Sequence, residues 1–279
     1  MTNRNASQKT RAESASDHQL EDFLEFAHRL ADLSGARILS HFRNLEAISN
    51  KAAGGDFDPV TAADREAEQA IREAIEAAYP DHGIVGEEYG DRQARGDRRW
   101  IVDPIDGTRA FITGSPLWGT LIGLLESGHP VLGMMNQPFT GERFWAGGQG
   151  AHYSGPGGDR VLATRSCPSL DDATLSTTSP DLFSEAGEWE RFEAVSARVR
   201  ARRFGGDCYG YCLLAAGHLD LIIETGLKPF DIAPLIPIIE QAGGRVTAWD
   251  GSDAASGGRI VAAGDPGLHE DVLKLLATG

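Results

Sequence analysis

Asp103-Pro104-Ile105-Asp106-Gly107-Thr108 follows directly on the apolar run Trp100-Ile101-Val102, setting two carboxylates beside a hydroxyl. The run reads as the end of a buried strand. Pro104 fixes one backbone torsion and Gly107 permits whatever torsion a tight turn demands, so Asp103 and Asp106 can converge with the Ile105 carbonyl between them. Mg²⁺ takes carboxylate, carbonyl and water oxygens in near-octahedral geometry, commonly with only one or two protein carboxylates and a substrate phosphate. The segment therefore suits a hard divalent cation holding a phosphate. It equally suits an Asx-type turn in which both aspartates bond their own backbone.

Further acidic candidates are scattered along the chain. Gly83-Ile84-Val85-Gly86-Glu87-Glu88 reads as a short strand ending in paired carboxylates, and Asp231 closes Lys228-Pro229-Phe230-Asp231. Asp231 precedes Ile232 at an expected helix start, where an N-cap role would also account for it. Thr61 and Asp64 have the spacing of a capping box. Arg198, Arg200, Arg202 and Arg203 read as a solvated face in preference to an anion funnel. Gly147-Gly148-Gln149-Gly150 lacks the spacing of a phosphate loop and is read as a turn; neither H-E-x-x-H nor a serine triad is found.

The elements that must position these groups follow from periodicity. Apolar residues at helical spacing predict a helix over 18–44 with Asp17 available as N-cap, and a second from Thr61 to Tyr79. Between them lies a Gly- and Asp-rich loop over 51–59. Strand-like runs follow at 117–125, 129–136, 143–146 and 151–153, and a Ser/Gly/Pro-rich linker candidate at 153–159. Strands at 175–178, 200–204, 219–224 and 259–263 then alternate with helices at 184–199, 207–217, 232–242 and 268–276. In the helix expected over 232–242 Pro234 is read as harmless in the first turn and Pro237 as a bend. The pattern implies an α+β lobe over 18–153 carrying most candidate ligands, an α/β lobe over 154–279 carrying Asp231, and a disordered polar tail over 1–17.

Composition bounds the partners. With 279 residues and 41% hydrophobic content the chain can bury a large core. A formal charge of −15 argues against nucleic acid or an anionic membrane as partner. No signal-peptide-like or membrane-spanning run is found, so a soluble, cytoplasmic protein is expected. Cys167, Cys208 and Cys212 suggest neither disulfides nor a zinc site, and Cys208 and Cys212 are expected on one buried helix face.

Taken in order, Gly86-Glu87-Glu88, Asp103 to Thr108 and Phe230-Asp231-Ile232-Ala233 resemble the lithium-sensitive, Mg²⁺-dependent phosphomonoesterases of the inositol monophosphatase superfamily, over roughly residues 18–279. Phe230 departs from the Trp that many members carry. The resemblance implies an α-β-α-β-α sandwich in which Glu87, Asp103, the Ile105 carbonyl, Asp106 and Asp231 hold two or three Mg²⁺ ions. It also implies that Asp64 and Thr108, with Glu87, orient and activate the attacking water, that amides after Asp106 at Gly107 and Thr108 bind phosphate, and that the enzyme is a homodimer. Phe111-Ile112-Thr113-Gly114, Gly205-Gly206-Asp207-Cys208-Tyr209 and the stretch from Glu224 to Asp231 look most like the histidinol-phosphate phosphatase branch, and the likeness implies that Gly205, Gly206, Asp207, Glu224 and Asp231 bind substrate together with Ile105 to Thr108. Asp207 and Glu224 would suit the cationic histidinol better than a neutral polyol, although Asp207 also fits a helix N-cap. The alternatives are an inositol-1-monophosphatase, another small phosphomonoester or bisphosphate phosphatase of this fold, and a metal-binding regulatory protein without turnover.

Overall fold

Trp100, Ile101 and Val102 are fully buried, and alternate side chains of their strand enter different layers: Trp100 and Val102 one core cluster, Ile101 another. A strand apolar on both faces must be covered on both. The computed structural model describes residues 3–44, 48–50 and 59–278, with side chains over 18–44 and 62–277. The first half runs α1 (Asn3–Ile38), β1 (Ile48–Asn50), β2 (Pro59–Thr61), α2 (Ala62–Ala78), β3 (Gly83–Gly86), β4 (Gly90–Arg92), β5 (Arg98–Asp106), α3 (Thr108–Ile112), β6 (Gly119–Glu126), β7 (His129–Gln137), β8 (Glu142–Ala146), β9 (Ala151–Ser154) and β10 (Arg160–Val161). The second runs β11 (Thr174–Thr177), α4 (Glu188–Ser196), β12 (Ala201–Phe204), α5 (Asp207–Ala215), β13 (Leu221–Leu227), α6 (Pro229–Ile232), α7 (Leu235–Gln241), β14 (Arg245–Ala248), β15 (Gly258–Ala263) and α8 (Pro266–Thr278).

An eight-stranded sheet has the order β10-β9-β8-β7-β6-β5-β3-β4, and a five-stranded sheet the order β12-β11-β13-β15-β14. The large sheet is antiparallel except for the β3/β5 pair. In the small one β11 runs parallel to β12 and β13, while β15 runs antiparallel to β13 and β14. Phe23, Phe26 and Leu30 of α1 and Ile71 and Ile75 of α2 pack on Trp100, Val102, Ile122 and Leu124. On the other face Ile101, Leu121 and Met135 meet Tyr211 and Cys212 of α5 and Leu235 and Ile239 of α7, which in turn meet Ile222 and Ile260 of the small sheet. Leu221, Ile223 and Val261 face outward onto Phe192 of α4 and Leu268 and Val272 of α8. The layers are thus α-β-α-β-α, an α/β fold.

Several sequence expectations are corrected. α1 begins at Asn3, not at 18, so the segment expected as a disordered tail is helical and Asp17 is no N-cap. Good helix formers such as Ala6, Gln8, Lys9, Arg11 and Ala12 let the packed helix propagate through this polar stretch. The loop expected at 51–59 lies, up to residue 58, outside the described residues, as does the Thr61 side chain. The linker candidate is the turn of a β9–β10 hairpin that extends the large sheet. The helix expected over 232–242 is two helices, broken at 233–234. Pro237 therefore falls in the first turn of α7, where its missing N–H costs no bond. β14 is a strand that periodicity did not signal. Among the described residues no helix is long and apolar enough to cross a membrane.

Candidate active site

Strand β5 ends in a bulge and not in the expected free turn. Asp103 stands opposite Leu121 and Asp106 opposite Gly119, so the two strands lose register between them. Bulges bend a strand and re-aim its side chains. Pro104 has no N–H for the ladder, and its carbonyl accepts instead from the buried Thr120 hydroxyl at 2.8 Å. Asp103 Oδ1 accepts from the Ile105 N–H at 3.0 Å, so the Asx-type bond is present. It uses one carboxylate oxygen only. Thr108 Oγ1 donates to the Ile105 carbonyl at 3.1 Å. Gly107 has φ 90°, and a Cβ there would stand 3.0 Å from the Leu117 carbonyl oxygen and 3.2 Å from the Asp207 side chain. Only glycine fits this corner.

A cavity of about 330 Å³ opens on the bulge. Glu87, Asp103, Ile105, Asp106, Gly107, Thr108, Asp207, Glu224 and Asp231 all line it, although they come from β5, α3, α5, α6, β13 and two connecting segments. Asp64 is buried at the start of α2, near enough to act electrostatically on Asp103. Burial, then the charges of Glu87, Asp106, Asp231 and Asp64, hold the Asp103 carboxyl well above the usual carboxylate range. Burial, then Asp207, Asp231, Glu224 and Glu87, do the same to Asp106. Asp231 is pushed up to about 7, chiefly by burial. The cationic side chains opposing this are Arg109 beside Asp207 and Lys228 beside Asp231.

Oxygen donors crowded in this way are kept ionised by hard cations, and the donor set fits Mg²⁺. Among the described residues no three His, Cys, Asp or Glu side chains form an all-protein cage. Mg²⁺ needs none, because carbonyl, water and phosphate oxygens complete its shell.

The two capping alternatives resolve differently from expectation. Asp231 is not the N-cap of α6; Lys228 is, and the Asp231 carboxylate accepts from the Lys228 N–H at 2.7 Å while lining the cavity. Asp207 is not the N-cap of α5 either, since Gly206 holds that place and Asp207 has φ 46°. Asp tolerates the left-handed region better than most side chains, and such positions cluster at functional sites. Burial, then Glu224, push the Asp207 carboxyl up to about 7. Glu224 Oε1 accepts from the Thr178 N–H at 2.7 Å and Oε2 from the Tyr211 hydroxyl at 2.9 Å, while Thr178 Oγ1 accepts from the Asp207 N–H at 3.1 Å. Thr178 thus ties the two acids together.

Other candidates fall away from the cavity. Glu88 pairs with Arg65 at 3.4 Å and does not line it. Gly205 and Gly206, expected to bind substrate, are not in the lining and form the positive-φ turn before α5. The arginines of β12 sit on an exposed edge strand, with Arg202 bonded to Glu193. The sequence reading missed Arg109, Thr178, Ser179, Leu182, Tyr211, Gly226 and Leu227, all in the lining. Tyr211 was the most findable, one helical turn beyond Asp207.

Fold and cavity together define a metal-dependent phosphatase, with an acidic oxygen-donor pocket between stacked α and β layers. The chain belongs to the inositol monophosphatase family, whose family model matches residues 19–278, and it is a phosphoric monoester hydrolase acting on small substrates. Members of this family are metal-dependent, generally on Mg²⁺. It is 44% identical to the chloroplastic bifunctional phosphatase IMPL2 of Arabidopsis thaliana, over 94% of this chain and 77% of that protein. It is 39% identical to a histidinol-phosphatase of Mycobacterium tuberculosis, over 80% and 86% of the two chains. Among solved structures an inositol monophosphatase from Zymomonas mobilis superposes with a TM-score of 0.80 at 45% identity, covering 92% of this chain and 98% of that one.

Proposed function

We propose that the enzyme is a histidinol-phosphatase, hydrolysing L-histidinol phosphate to L-histidinol and phosphate. The observation that carries this reading is the Asp207–Glu224 pair in the same cavity as the candidate ligands Glu87, Asp103, Asp106 and Asp231. A phosphate held at the ligand end leaves the alcohol portion facing two further carboxylates. An ammonium gains both opposite charge and hydrogen bonds there, and an imidazole gains the same when protonated, whereas a neutral polyol offers hydrogen bonds without the charge. The relative named a histidinol-phosphatase supports the same substrate.

In this reading Glu87, Asp103, the Ile105 carbonyl, Asp106 and Asp231 hold two or three Mg²⁺ ions. Bound Mg²⁺ neutralises the phosphate and the developing charge on the leaving oxygen. The amides of Gly107 and Thr108 orient the phosphate oxygens. Thr108 Oγ1, whose own proton is given to the Ile105 carbonyl, accepts a hydrogen bond from the attacking water, and Asp64 is the base that takes its proton. Glu87 would serve both as a ligand of the ion and in orienting the water. The family resemblance further supports a homodimer.

The likeness to the Zymomonas mobilis inositol monophosphatase favours inositol 1-phosphate as the rival substrate. Phosphate release from the two compounds at fixed Mg²⁺ separates them. The expected kcat/KM for histidinol phosphate is at least about tenfold higher, matching one charge-assisted contact of about 1.5 kcal/mol; parity or the reverse order would favour inositol phosphate. Asp207→Ala should remove that preference, lowering turnover of histidinol phosphate far more than that of glycerol phosphate.

A further inference from the structure

Glu68 lies one turn beyond Asp64 on α2 and is fully buried. A buried carboxylate must have its oxygens satisfied, and Glu68 satisfies them on the turn between β3 and β4. Its Oε2 accepts from the Glu88 N–H at 2.7 Å, and its Oε1 accepts from the Tyr89 N–H at 3.2 Å and from Arg72 Nε at 2.7 Å. These two amides are the ones immediately following Glu87. Arg72 in turn donates to the Gly90 carbonyl and lies 5.9 Å from the centre of the Tyr89 ring. Arg65 reaches the Glu88 carboxylate at 3.4 Å. Residues 65, 68 and 72 share one helix face, so a single face of α2 grips the whole turn. Gly86 makes the approach possible. A Cβ there would collide with the Glu68 carboxylate and stand 2.7 Å from Arg72 Nη2.

We propose that Glu68, braced by Arg72, is a positioning residue that fixes the backbone from which Glu87 reaches the cation site. The inference rests on the reading of Glu87 as a ligand. α2 also supplies Asp64, so one helix sets the separation between the base and this ligand. Glu68 does not line the cavity, so its part is to hold the turn and not to bind the cation. Outer groups that orient a ligand typically control affinity by about 10- to 100-fold.

Calorimetric titration of Mg²⁺ into the full chain, without substrate, tests this. The expected dissociation constant rises about 10- to 100-fold in Glu68→Ala and less in Glu68→Gln, whose remaining oxygen still accepts one amide. Raising Mg²⁺ should return kcat of both variants towards the parent value. Leu132→Ala, a core truncation on another element, should lower the melting temperature and leave Mg²⁺ affinity unchanged. If Glu68→Ala does not fold, Glu68→Gln and Arg72→Met carry the comparison. Lowered melting temperatures in those two, with Mg²⁺ affinity indistinguishable from the parent's, would overturn the proposal. Equal affinity in the parent and Glu87→Gln would instead overturn the ligand assignment beneath it.

Discussion

Thr108 lines the cavity and gives its one hydroxyl proton to the Ile105 carbonyl at 3.1 Å, so its oxygen is left as an acceptor. A group that orients water matters more in the transition state than in substrate binding. Thr108→Ala and Asp64→Asn are accordingly expected to lower kcat by about 10²- to 10⁴-fold with little change in KM, measured at saturating Mg²⁺. Loss of thermal stability with kcat intact would return Asp64 to the capping role its spacing from Thr61 allows and would remove Thr108 from water activation. At this scale much was legible. The carboxylates of 103, 106 and 231 stood out by type and local motif, and the structure brings all three to one cavity. Glu68 and Thr178 did not stand out, because a buried acceptor of backbone amides has no sequence signature until the opposing backbone is known.

Asp231 is set by an element junction and not by its own helix alone. α6 and α7 meet at 233–234, and this corner presses on the large sheet where β6 and β7 carry Gly123 and Gly133. A Cβ at Gly133 would collide with the Pro234 carbonyl oxygen, and one at Gly123 would lie 3.3 Å from Pro234 Cα. Gly133→Ala should therefore push the corner off the sheet, costing about 1–3 kcal/mol and weakening Mg²⁺ binding through Asp231. Gly96→Ala, with nothing near its Cβ, should change neither melting temperature nor Mg²⁺ titration; an equally silent Gly133→Ala would show the corner to be adaptable. Periodicity gave the elements on either side of this corner as one helix. It could not give the break, because Pro234 is compatible with a first turn and only the docked sheet decides where that turn starts.

Across the whole molecule the small sheet is closed by α8, and His269 marks that packing. It is 1% exposed, with Nε2 3.0 Å from Thr247 Oγ1 on β14. Burial, and then the positive charge of Arg245, lower its pKa from 6.5 to about 4. The unfolded chain therefore takes up the proton first on acidification. The stability that His269 contributes is intact above about pH 6.5 and is lost as the pH falls towards about 4. Melting temperatures in chelator across that window should fall more steeply for the parent than for His269→Gln; parallel curves would show that another group governs acid sensitivity.

The sequence by itself determined the α/β class, most of the strands and helices, and which acids could serve a cation, since hydrophobic period and motif chemistry are local properties. Tertiary structure decided the rest. The bulge that re-aims Asp106, the corner that delivers Asp231 and the grip of α2 on the Glu87 turn each depend on a backbone meeting a glycine or a carboxylate far away in the chain. Such distances are set by sheet register and close packing, which no window of residues contains.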